Sequence, residues 1–363
     1  MKILIIARPY MFHGGVESAT AGLLRALVAH GHDVHRAGPG RQHAPDITEH
    51  PLPMPPLPSP ARAVALALLA APIARRRGWD VVQSHERTLV QDVYRAGEGA
   101  HRAYLDAMGA RGGRRVHHAV TLALERRVFA RTPHIVAISR RGADDIAHHY
   151  AVPAARVSVV YNGVDLVRFH PAVRARQRDA ARAEAGVPTA AYAVLFAGSG
   201  FERKGLSTAI RAFAHLGDVD ARLLVLGRGD AASYRRLAGE LGVAARVVWL
   251  GARPDIERWY AAADVLVLPT RYEPFGNVHL EALASGLPVV TSAVAGGAEV
   301  VDDRCGAVVA PEDAAGFAAA VDKLRGRNAA ELRDAARAAA EPFTFARQVQ
   351  ALEEVYRRLA RNR

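Results

Sequence analysis

Two glutamates with seven residues between them are the side chains of this sequence that most clearly suggest chemistry. Glu273 follows the apolar run 265–268, and Glu281 lies about one turn into a helix that we predict to begin near Gly276. A loop carboxylate and a helix carboxylate at this spacing can face one ligand, with the free amides of the helix N-terminus between them. Carboxylates accept hydrogen bonds from vicinal hydroxyls, so the segment suits a sugar and a ribose. An incidental pair of acids is the alternative.

Two further segments place groups that suit phosphate directly after predicted strands. Gly14 and Gly15 follow the first strand and open the first helix, where backbone N–H groups can approach a phosphate. Arg203 and Lys204 follow the first strand of a second α/β pattern, and two fixed cations there could neutralise a leaving diphosphate without a metal. A simple tight turn at the glycines and a solvated basic turn at the cations are the alternatives.

Several well-known kinds of site are missing from the sequence. The 16 histidines include no His-Glu-x-x-His, and the single cysteine, Cys305, can build neither a zinc cage nor an intrachain disulfide, so we expect no metal and a cytosolic chain. The segment 198–205 lacks the Gly-Lys-Ser/Thr of a P-loop. The segment 227–229 imitates a dinucleotide fingerprint without a suitable acid about 20 residues later, so a turn is favoured over a nicotinamide site.

Composition and charge limit the classes of protein that the chain can represent. Of its 363 residues, 50% are apolar and 23% charged, which excludes a wholly disordered chain and predicts two domains. A net charge of +12 favours an anionic partner such as a nucleotide, a phosphorylated glycan, a membrane surface or nucleic acid. An Arg-rich composition inherited from a high-GC genome is the alternative. The longest charge-free apolar run, 63–74, is shorter than the about 20 residues that a membrane span needs.

Strands alternate with helices along the chain, as in doubly wound parallel sheets. The predicted elements of the first half are strands at 3–7, 33–37, 81–83, 135–138 and 157–161, helices at 17–30, 61–77 and 139–150, and an extended Pro-rich loop at 51–60. The Arg- and Ala-rich stretch 170–188 separates this half from the next and is the predicted domain boundary. Beyond it, strands at 193–197, 222–226, 247–250, 265–268 and 289–291 alternate with four helices, and 344–359 forms a terminal helix.

The glutamate segment, together with several others, resembles the signature of family 4 retaining glycosyltransferases of the GT-B fold. The segments that carry the resemblance, in family order, are Gly14-Gly15, 160–165, 198–205, 269–281, 284–290 and 296–299. Within the family, segments 91–94 and 201–205 are most similar to the lipopolysaccharide-core heptose glucosyltransferases. Pro274 and Phe275 stand where those enzymes carry small residues beside the first glutamate. The resemblance covers nearly the whole chain.

The resemblance implies a particular division of the chain. Two Rossmann-like α/β domains would face each other across a cleft. The first, 1–168, would lie on the acceptor side, and the second, 169–343, would bind the nucleotide sugar. A helix within 344–363 would cross back to the first domain.

The resemblance also implies a role for individual residues. Arg203 and Lys204 would hold the diphosphate. Glu273 would bind the sugar hydroxyls, and Glu281 would bind the ribose. Asp92 is the candidate beside the anomeric carbon or the acceptor hydroxyl. The predicted catalytic residues are therefore Asp92, Arg203, Lys204 and Glu273. Further donor contacts would come from Gly14 and Gly15 at the phosphate, from Arg168, from Gly251 and Arg253 beside the base, and from Phe275, Gly276 and Asn277 beside the sugar.

The function implied by the resemblance is a metal-independent, retaining transfer of a hexose from a nucleotide sugar, UDP-glucose or similar, to a lipopolysaccharide-core-type acceptor. The acceptor would attack from the face that the diphosphate leaves, and the leaving phosphate itself would take the proton. The Arg- and His-rich region 95–131 would dock on the acidic inner face of the inner membrane. A capsule or exopolysaccharide precursor is the alternative acceptor. A basic nucleic-acid-binding protein is the alternative class, although no helix-turn-helix, aromatic platform or zinc motif accompanies the charge.

Overall fold

Parallel strands form two separate sheets, each within its own part of the chain. The structure is a computed structural model that describes residues 1–9, 15–42, 44, 46–109 and 115–361. Unit 1 contains Met1–Gly163 together with Thr344–Arg363, and unit 2 contains Val164–Phe343. The chain thus leaves unit 1 five residues earlier than the predicted boundary after Arg168, and re-enters it at the predicted residue.

Unit 1 is built around seven strands in the order β3-β2-β1-β4-β5-β6-β7. The strands are β1 (Lys2–Ile6), β2 (Asp33–Pro39), β3 (Ile47–Leu52), β4 (Val81–Ser84), β5 (Val93–Ala96), β6 (His134–Ala137) and β7 (Val157–Val159). The helices before the boundary are α1 (Gly15–Ala29), α2 (Ser59–Ala74), α3 (His101–Met108), α4 (Arg115–Arg131) and α5 (Arg140–Tyr150). Ser139 caps α5 as its residue type predicts, because its hydroxyl accepts a hydrogen bond from the Gly142 N–H.

Unit 2 is built around six strands in the order β10-β9-β8-β11-β12-β13. The strands are β8 (Ala193–Ala197), β9 (Arg222–Leu226), β10 (Val247–Gly251), β11 (Val265–Leu268), β12 (Val289–Ser292) and β13 (Gly306–Val309). The helices are α6 (Ala172–Glu184), α7 (Phe201–Lys204), α8 (Leu206–His215), α9 (Ala232–Glu240), α10 (Ile256–Ala262), α11 (Val278–Ala284), α12 (Ala314–Arg325) and α13 (Ala329–Ala340). Two such sheets of parallel strands confirm the predicted pair of Rossmann-like α/β domains.

The terminal helix α14 (Phe345–Arg361) belongs to unit 1, which confirms the predicted return of the chain. Its buried residues Val349, Leu352 and Tyr356 repeat at helical spacing and pack into the same core as Ile3 and Leu23. The Tyr356 hydroxyl also donates a hydrogen bond to the Gln83 side chain, 2.7 Å away. Packing and a buried polar contact therefore both attach the last helix to the first sheet.

The Arg-rich stretch 170–188, predicted as the domain boundary, instead contributes a helix to unit 2. Arg174, Arg178 and Arg182 lie four residues apart on α6 and all bind the Asp264 carboxylate, at 2.6–2.9 Å. They also donate to the carbonyls at the end of α10. The arginines therefore attach the helix to the second sheet, and their number does not reflect a solvated linker.

The Pro-rich segment also differs from the prediction. We predicted an extended loop over 51–60, whereas Pro51 lies within β3 and α2 begins at Ser59. β3 is the edge strand of its sheet, the position where a strand tolerates a proline. Residues 53–58 lie outside helices and strands, as predicted.

Candidate functional site

The second sheet brings the predicted phosphate and sugar residues to the carboxyl ends of two adjacent strands. α7 follows β8, and the loop 269–277 follows β11, the neighbouring strand. A glycine allows the two segments to meet, because a Cβ placed on Gly205 would lie 1.8 Å from the carbonyl oxygen of Pro269. Gly205 also has a φ of +75°, a conformation that other residues rarely adopt. The local sequence therefore permits the close approach on which the site depends.

Two cations meet on one carboxylate oxygen at this edge. Arg203 Nη1 lies 2.7 Å, and Lys204 Nζ 2.5 Å, from Glu273 Oε2. Burial by itself would raise the pKa of Glu273, but Lys204 and Arg203 outweigh it and hold the pKa at about 2. The three side chains together carry one surplus positive charge. An anionic group can therefore bind here without any change of protonation.

The backbone around these side chains is fixed by hydrogen bonds. The Arg203 carbonyl accepts from the Thr270 hydroxyl and from the Arg271 N–H, both at 2.9 Å. The Arg203 guanidinium donates in turn to the carbonyl of Tyr272 at 3.0 Å. The Ser292 hydroxyl holds the Thr270 carbonyl from β12 at 2.6 Å. The cations are therefore held in place before any ligand arrives, as electrostatic catalysis requires.

The second glutamate lies on α11 beside a buried phenol. The Tyr260 hydroxyl donates to Glu281 Oε2 at 2.8 Å. Burial raises the pKa of Glu281, and the Tyr260 hydrogen bond and the charges of Arg168 and Lys204 oppose that rise. Lys204 therefore acts electrostatically on both glutamates, and the two acids of the motif belong to one site. The second oxygen of Glu281 remains available to accept from a ligand hydroxyl.

Arg168 and Arg253 form ion pairs with acids other than Glu273 and Glu281. Arg168 pairs with Glu257 at 2.7 Å and donates to the carbonyl of Pro254 at 2.9 Å. Arg253 pairs with Glu184 at 3.2 Å and lies over the ring of Trp259. The two ion pairs run to α10 and α6, respectively. The structure thus brings Arg168 within electrostatic reach of Glu281 and holds Arg253 against the helices.

The remaining predicted donor residues of unit 2 occupy three different settings. Gly251 ends β10 with a φ of +68°, and its carbonyl accepts from the Gly227 N–H at 2.8 Å. Asn277 is the residue before α11 and is partly exposed. Phe275, predicted beside the sugar, has a fully buried side chain, so its ring contributes to the core beneath the loop. Its backbone is used within the protein as well, since the carbonyl accepts from the Gly297 N–H at 2.7 Å.

A buried histidine, which the sequence analysis did not select, supports the segment that carries the two glutamates. His279 is fully buried, and burial lowers its pKa to about 4, so the ring is neutral at physiological pH. Its Nδ1 lies 2.7 Å from the Gly276 carbonyl, which only accepts, so Nδ1 carries the hydrogen. Nε2 then accepts from the Thr291 hydroxyl at 2.8 Å. His279 therefore connects the motif loop to β12. A polar residue on the buried face of the motif helix is the signal that could have identified it.

Position 276 must be a glycine for the same arrangement to form. Its φ is +84°, and a Cβ there would lie 2.9 Å from both Glu273 Cγ and His279 Nδ1. Gly297 is equally restricted, since a Cβ would lie 2.4 Å from His279 Nδ1. Close packing around the histidine therefore fixes where Glu273 can lie.

Three of the predicted residues, Gly14, Gly15 and Asp92, belong to unit 1. Gly15 begins α1, and Gly14 lies outside the described residues. Asp92, predicted beside the reacting atoms, precedes β5, and its carboxylate accepts the Val82 N–H at 2.8 Å. It therefore lies at the amino ends of β4 and β5, whereas ligands of parallel sheets collect at the carboxyl ends. The contact with Val82 gives the carboxylate a structural partner at the start of two strands and does not favour the predicted role beside the reacting atoms.

Unit 1 nevertheless has charged residues at the carboxyl ends of its strands, which the sequence analysis missed. Arg8 follows β1 and binds both Glu86, after β4, and Glu98, after β5, each at 2.7 Å. Arg87 joins Glu98 at 2.9 Å to the fully buried Glu125 of α4 at 3.0 Å. We call these five residues the charged network. Three of them follow a strand by only two residues, which is the signal that could have identified them.

Comparisons with known protein families and structures agree with this architecture. Residues 13–168 match the family model Glycosyltransferase Family 4, and residues 191–327 match the model Glycosyl transferases group 1. A D-inositol 3-phosphate glycosyltransferase of Xylanimonas cellulosilytica is 36% identical over 255 residues, which cover 66% of this chain and 60% of that protein. The chain spans about half to three fifths of the length of the curated relatives that it matches.

Solved structures of glycosyltransferases have the same fold over nearly the whole chain. WaaG, a glycosyltransferase involved in lipopolysaccharide biosynthesis, superposes with a TM-score of 0.82 at 23% identity, covering 98% of this chain and 99% of WaaG. HepE of Anabaena, in complex with UDP-glucose, gives a TM-score of 0.77 at 18% identity, covering 98% of this chain and 99% of that chain. These similarities confirm the GT-B fold. Successive parts of the chain are therefore similar to a Glycosyltransferase Family 4 domain and to a Glycosyl transferases group 1 domain.

Proposed function

We propose that this protein is a retaining, metal-independent glycosyltransferase that moves a hexose from a nucleotide sugar to a glycan acceptor. The observation that carries the proposal is the convergence of Arg203 and Lys204 on the buried carboxylate of Glu273. A leaving diphosphate needs positive charge that is already in place, and a sugar needs carboxylate acceptors for its hydroxyls. Both requirements are met within one group of three side chains.

The donor is a nucleotide sugar, UDP-glucose or similar. Its diphosphate takes the two cations, and Glu281 holds the ribose while Tyr260 orients the carboxylate by donating to it. The related HepE structure contains UDP-glucose, which supports this class of donor. Because the two cations supply the charge that a metal would otherwise provide, the reaction needs no metal.

During transfer, the bond between the anomeric carbon and the diphosphate oxygen breaks while Arg203 and Lys204 stabilise the developing negative charge. Glu273 accepts hydrogen bonds from the sugar hydroxyls as the ring flattens and gains positive charge. The acceptor hydroxyl attacks from the same face and passes its proton to the leaving phosphate. No side chain of this site has to act as a covalent nucleophile.

The acceptor is an anionic, lipid-linked glycan of the lipopolysaccharide-core type. The similarity to WaaG and the net charge of +12 support this choice. A phosphorylated polyol is the second candidate, because several of the relatives are D-inositol 3-phosphate glycosyltransferases. A capsule or exopolysaccharide precursor is a further alternative of the same chemistry.

We also propose that the protein works at the acidic inner face of the membrane. Helix α4 exposes Arg126, Arg127 and Arg131, and Val116, near the start of the same helix, is 70% exposed. A helix that exposes both basic and apolar side chains suits an anionic lipid surface. Among the helices that the structure describes, none has both the length and the apolar character of a membrane span. The rival class, a nucleic-acid-binding protein, predicts DNA binding at physiological salt.

The test is a donor screen that scores release of nucleoside diphosphate without acceptor. Wild-type protein is incubated with UDP-glucose, UDP-galactose, UDP-N-acetylglucosamine and ADP-glucose, and then with the best donor plus either lipid-linked core oligosaccharide or inositol phosphate. We expect slow release from one UDP-sugar and faster release with the correct acceptor. Release from none of the donors, together with DNA binding at physiological salt, would overturn the proposal.

A further inference from the structure

A small cavity in unit 2 lies at the amino ends of its strands, whereas the two glutamates lie beyond the carboxyl ends. Tyr192, Asp264 and Pro288 line the cavity and directly precede β8, β11 and β12. Those strands are four or five residues long, so about 13–17 Å separate the cavity from the loop that carries Glu273. Helices α6, α12 and α13 supply most of the remaining wall. The cavity is therefore distinct from the site described above.

The volume of the cavity, about 70 Å³, suits a small anion. A single buried water needs about 10–15 Å³, so the space is enough for about five to seven waters or for one tetrahedral oxyanion such as phosphate. Pockets for larger organic ligands measure about 300–1,000 Å³. A whole nucleotide sugar is therefore too large for this cavity, and a phosphate group fits.

Arginines supply most of the charge around the cavity. The guanidinium groups in its wall belong to Arg174, Arg325, Arg327 and Arg333. The carboxylate of Asp264 lies in the same wall, but Arg174 shares it with two further arginines of α6, so it neutralises only one of three charges. Even with Asp218, which pairs with Arg325, and the nearby Asp322 counted, the cations outnumber the acids. The wall therefore has a surplus of positive charge.

Several N–H donors of these arginines have no acceptor in the described part of the chain. Arg327 donates through Nη1 to the Asp303 carbonyl at 2.5 Å. Arg325 pairs through Nη1 with Asp218 at 2.7 Å. The Arg333 side chain makes neither a hydrogen bond nor an ion pair with any residue that the structure describes. Because a guanidinium carries five N–H donors, the three arginines together keep many donors for a ligand.

Tyr192 adds a neutral donor to the same wall. Burial raises the pKa of its phenol, so the group stays protonated at physiological pH. Its hydroxyl has no hydrogen-bond partner within the described residues, and its ring lies 5.2 Å from the Arg325 guanidinium. The apolar part of the wall comes from Leu287, Leu324 and Leu332. Charges attract each other more strongly beside such surface than in water, because the local dielectric constant is lower.

We propose that this cavity binds a phosphate group, either inorganic phosphate or the phosphate monoester of a small metabolite. Arg333 and Tyr192 donate to its oxygens, and Arg174, Arg325 and Arg327 add the positive charge that a dianion requires. Both sources present the same tetrahedral oxyanion to the wall. The proposal stands on unit 2 alone and does not depend on the proposed function.

The test is calorimetric titration of the full chain carrying Lys204→Ala, which we call the parent chain. This background is used because phosphate can also bind beside Arg203 and Lys204, whereas Arg203 and Glu273 alone neutralise each other. The ligands are sodium phosphate, sodium glycerol 3-phosphate and, as the control for ionic strength, sodium chloride. We expect saturable binding of one phosphate group per chain and none of chloride. Tighter binding of glycerol 3-phosphate than of phosphate indicates a metabolite, and the reverse indicates the free ion.

Variants of Arg333 make the test specific, because this side chain has no described partner whose loss would disturb the fold. Arg333→Gln should weaken phosphate binding about tenfold or more, the usual effect of losing a charged hydrogen bond. Arg333→Lys keeps the charge and should weaken binding less. Arg236→Gln removes the same charge from an exposed position of α9 and is the matched control, which should bind phosphate like the parent chain.

Melting temperatures give a second readout. In chloride, Arg333→Gln should be at least as stable as the parent chain, because the substitution relieves repulsion among the arginines. Phosphate should raise the melting temperatures of the parent chain and of Arg236→Gln, since it binds the folded state, and that of Arg333→Gln by clearly less.

Three results would overturn the proposal. The first is an absence of saturable phosphate binding to the parent chain. The second is chloride that stabilises the parent chain as much as phosphate at equal ionic strength, which indicates unspecific screening. The third is folded Arg333→Gln that binds phosphate as tightly as the parent chain. These titrations need no nucleotide sugar, so their outcome is independent of the donor screen.

Discussion

Lys204 places its ammonium nitrogen 2.5 Å from Glu273 Oε2, although the two residues follow different strands of the second sheet. The lysine side chain is only 8% exposed, so its removal from water is costly. A buried ion pair stabilises a fold little, and here a second cation, Arg203, joins the same oxygen. The arrangement is therefore better explained by an anionic ligand that takes over one of the partners.

Replacing Lys204 by alanine should reduce turnover about a hundredfold or more, or about 3 kcal/mol of transition-state stabilisation, because the leaving diphosphate loses a fixed cation. Steady-state release of nucleoside diphosphate measures the effect. Lys323→Ala, which removes an exposed lysine from α12, is the control and should keep wild-type rates. EDTA should leave the wild type active. Activity that disappears with EDTA and returns with manganese would contradict the metal-free mechanism.

Alanine substitutions of Glu273 and Glu281 should have different effects on the steady-state kinetics. The ribose changes little as the glycosidic bond breaks, so Glu281→Ala should remove uniform binding and mainly raise the donor KM. The sugar ring flattens and gains charge, so Glu273→Ala should mainly lower kcat. Tyr260→Phe removes the donor to Glu281 and should shift KM in the same direction as Glu281→Ala, by less. A Glu273→Ala enzyme with wild-type kcat would show that our sugar site is misplaced.

His279 should make the stability of unit 2 depend on pH in a defined window. Its pKa falls from 6.5 to about 4 on folding, so between these values the unfolded chain binds more protons than the folded one. Stability from this group is complete above pH 6.5 and is lost as the pH falls towards 4, by up to about 3 kcal/mol. His279→Gln cannot take up that proton, so the stability difference between it and the wild type should shrink across this range.

Urea denaturation at several pH values measures the His279 effect. His215→Gln, at an exposed position of α8, is the control and should parallel the wild type throughout. A stability gap between His279→Gln and the wild type that stays constant from pH 7 to pH 4 would argue against a neutral buried ring.

Substitution of Asp92 should lower the free energy of unfolding and leave kcat nearly unchanged. Its carboxylate accepts the Val82 N–H, so Asp92→Ala leaves a backbone donor unpaired and should cost about 1–2 kcal/mol. Asp92→Asn keeps an accepting oxygen and should lose less. Both folded variants should retain kcat close to wild type in the donor assay. A kcat reduced by several orders of magnitude in folded Asp92→Asn would return this residue to the catalytic set.

Membrane binding should depend on salt and on acidic lipid. Vesicles with phosphatidylglycerol should pull the protein down at low salt and release it as the salt concentration rises, since screening weakens the attraction. The Arg126→Ala/Arg127→Ala double variant should bind more weakly. Arg235→Ala/Arg236→Ala removes the same charge from an exposed helix of unit 2 and should bind like the wild type. Equal, salt-insensitive binding to neutral vesicles would point to hydrophobic insertion.

The sequence by itself determined the local parts of this protein. Alternating apolar runs and helical patterns predicted two parallel α/β sheets, because strands buried on both faces must be continuously apolar. The spacing of Glu273 and Glu281 predicted a loop acid followed by a helix acid, and both lie where that pattern placed them. These features depend on neighbouring residues, which a sequence contains directly.

Only the tertiary structure decided which distant residues meet. The sequence does not show that the Asp92 carboxylate accepts from Val82, because that partner lies on the adjacent strand. His279 supports Gly276 through a contact with Thr291 of β12, which depends on the order of strands in the sheet. The charged network joins the ends of three strands for the same reason. Contacts across a sheet follow from strand order and burial, and neither quantity is local in the chain.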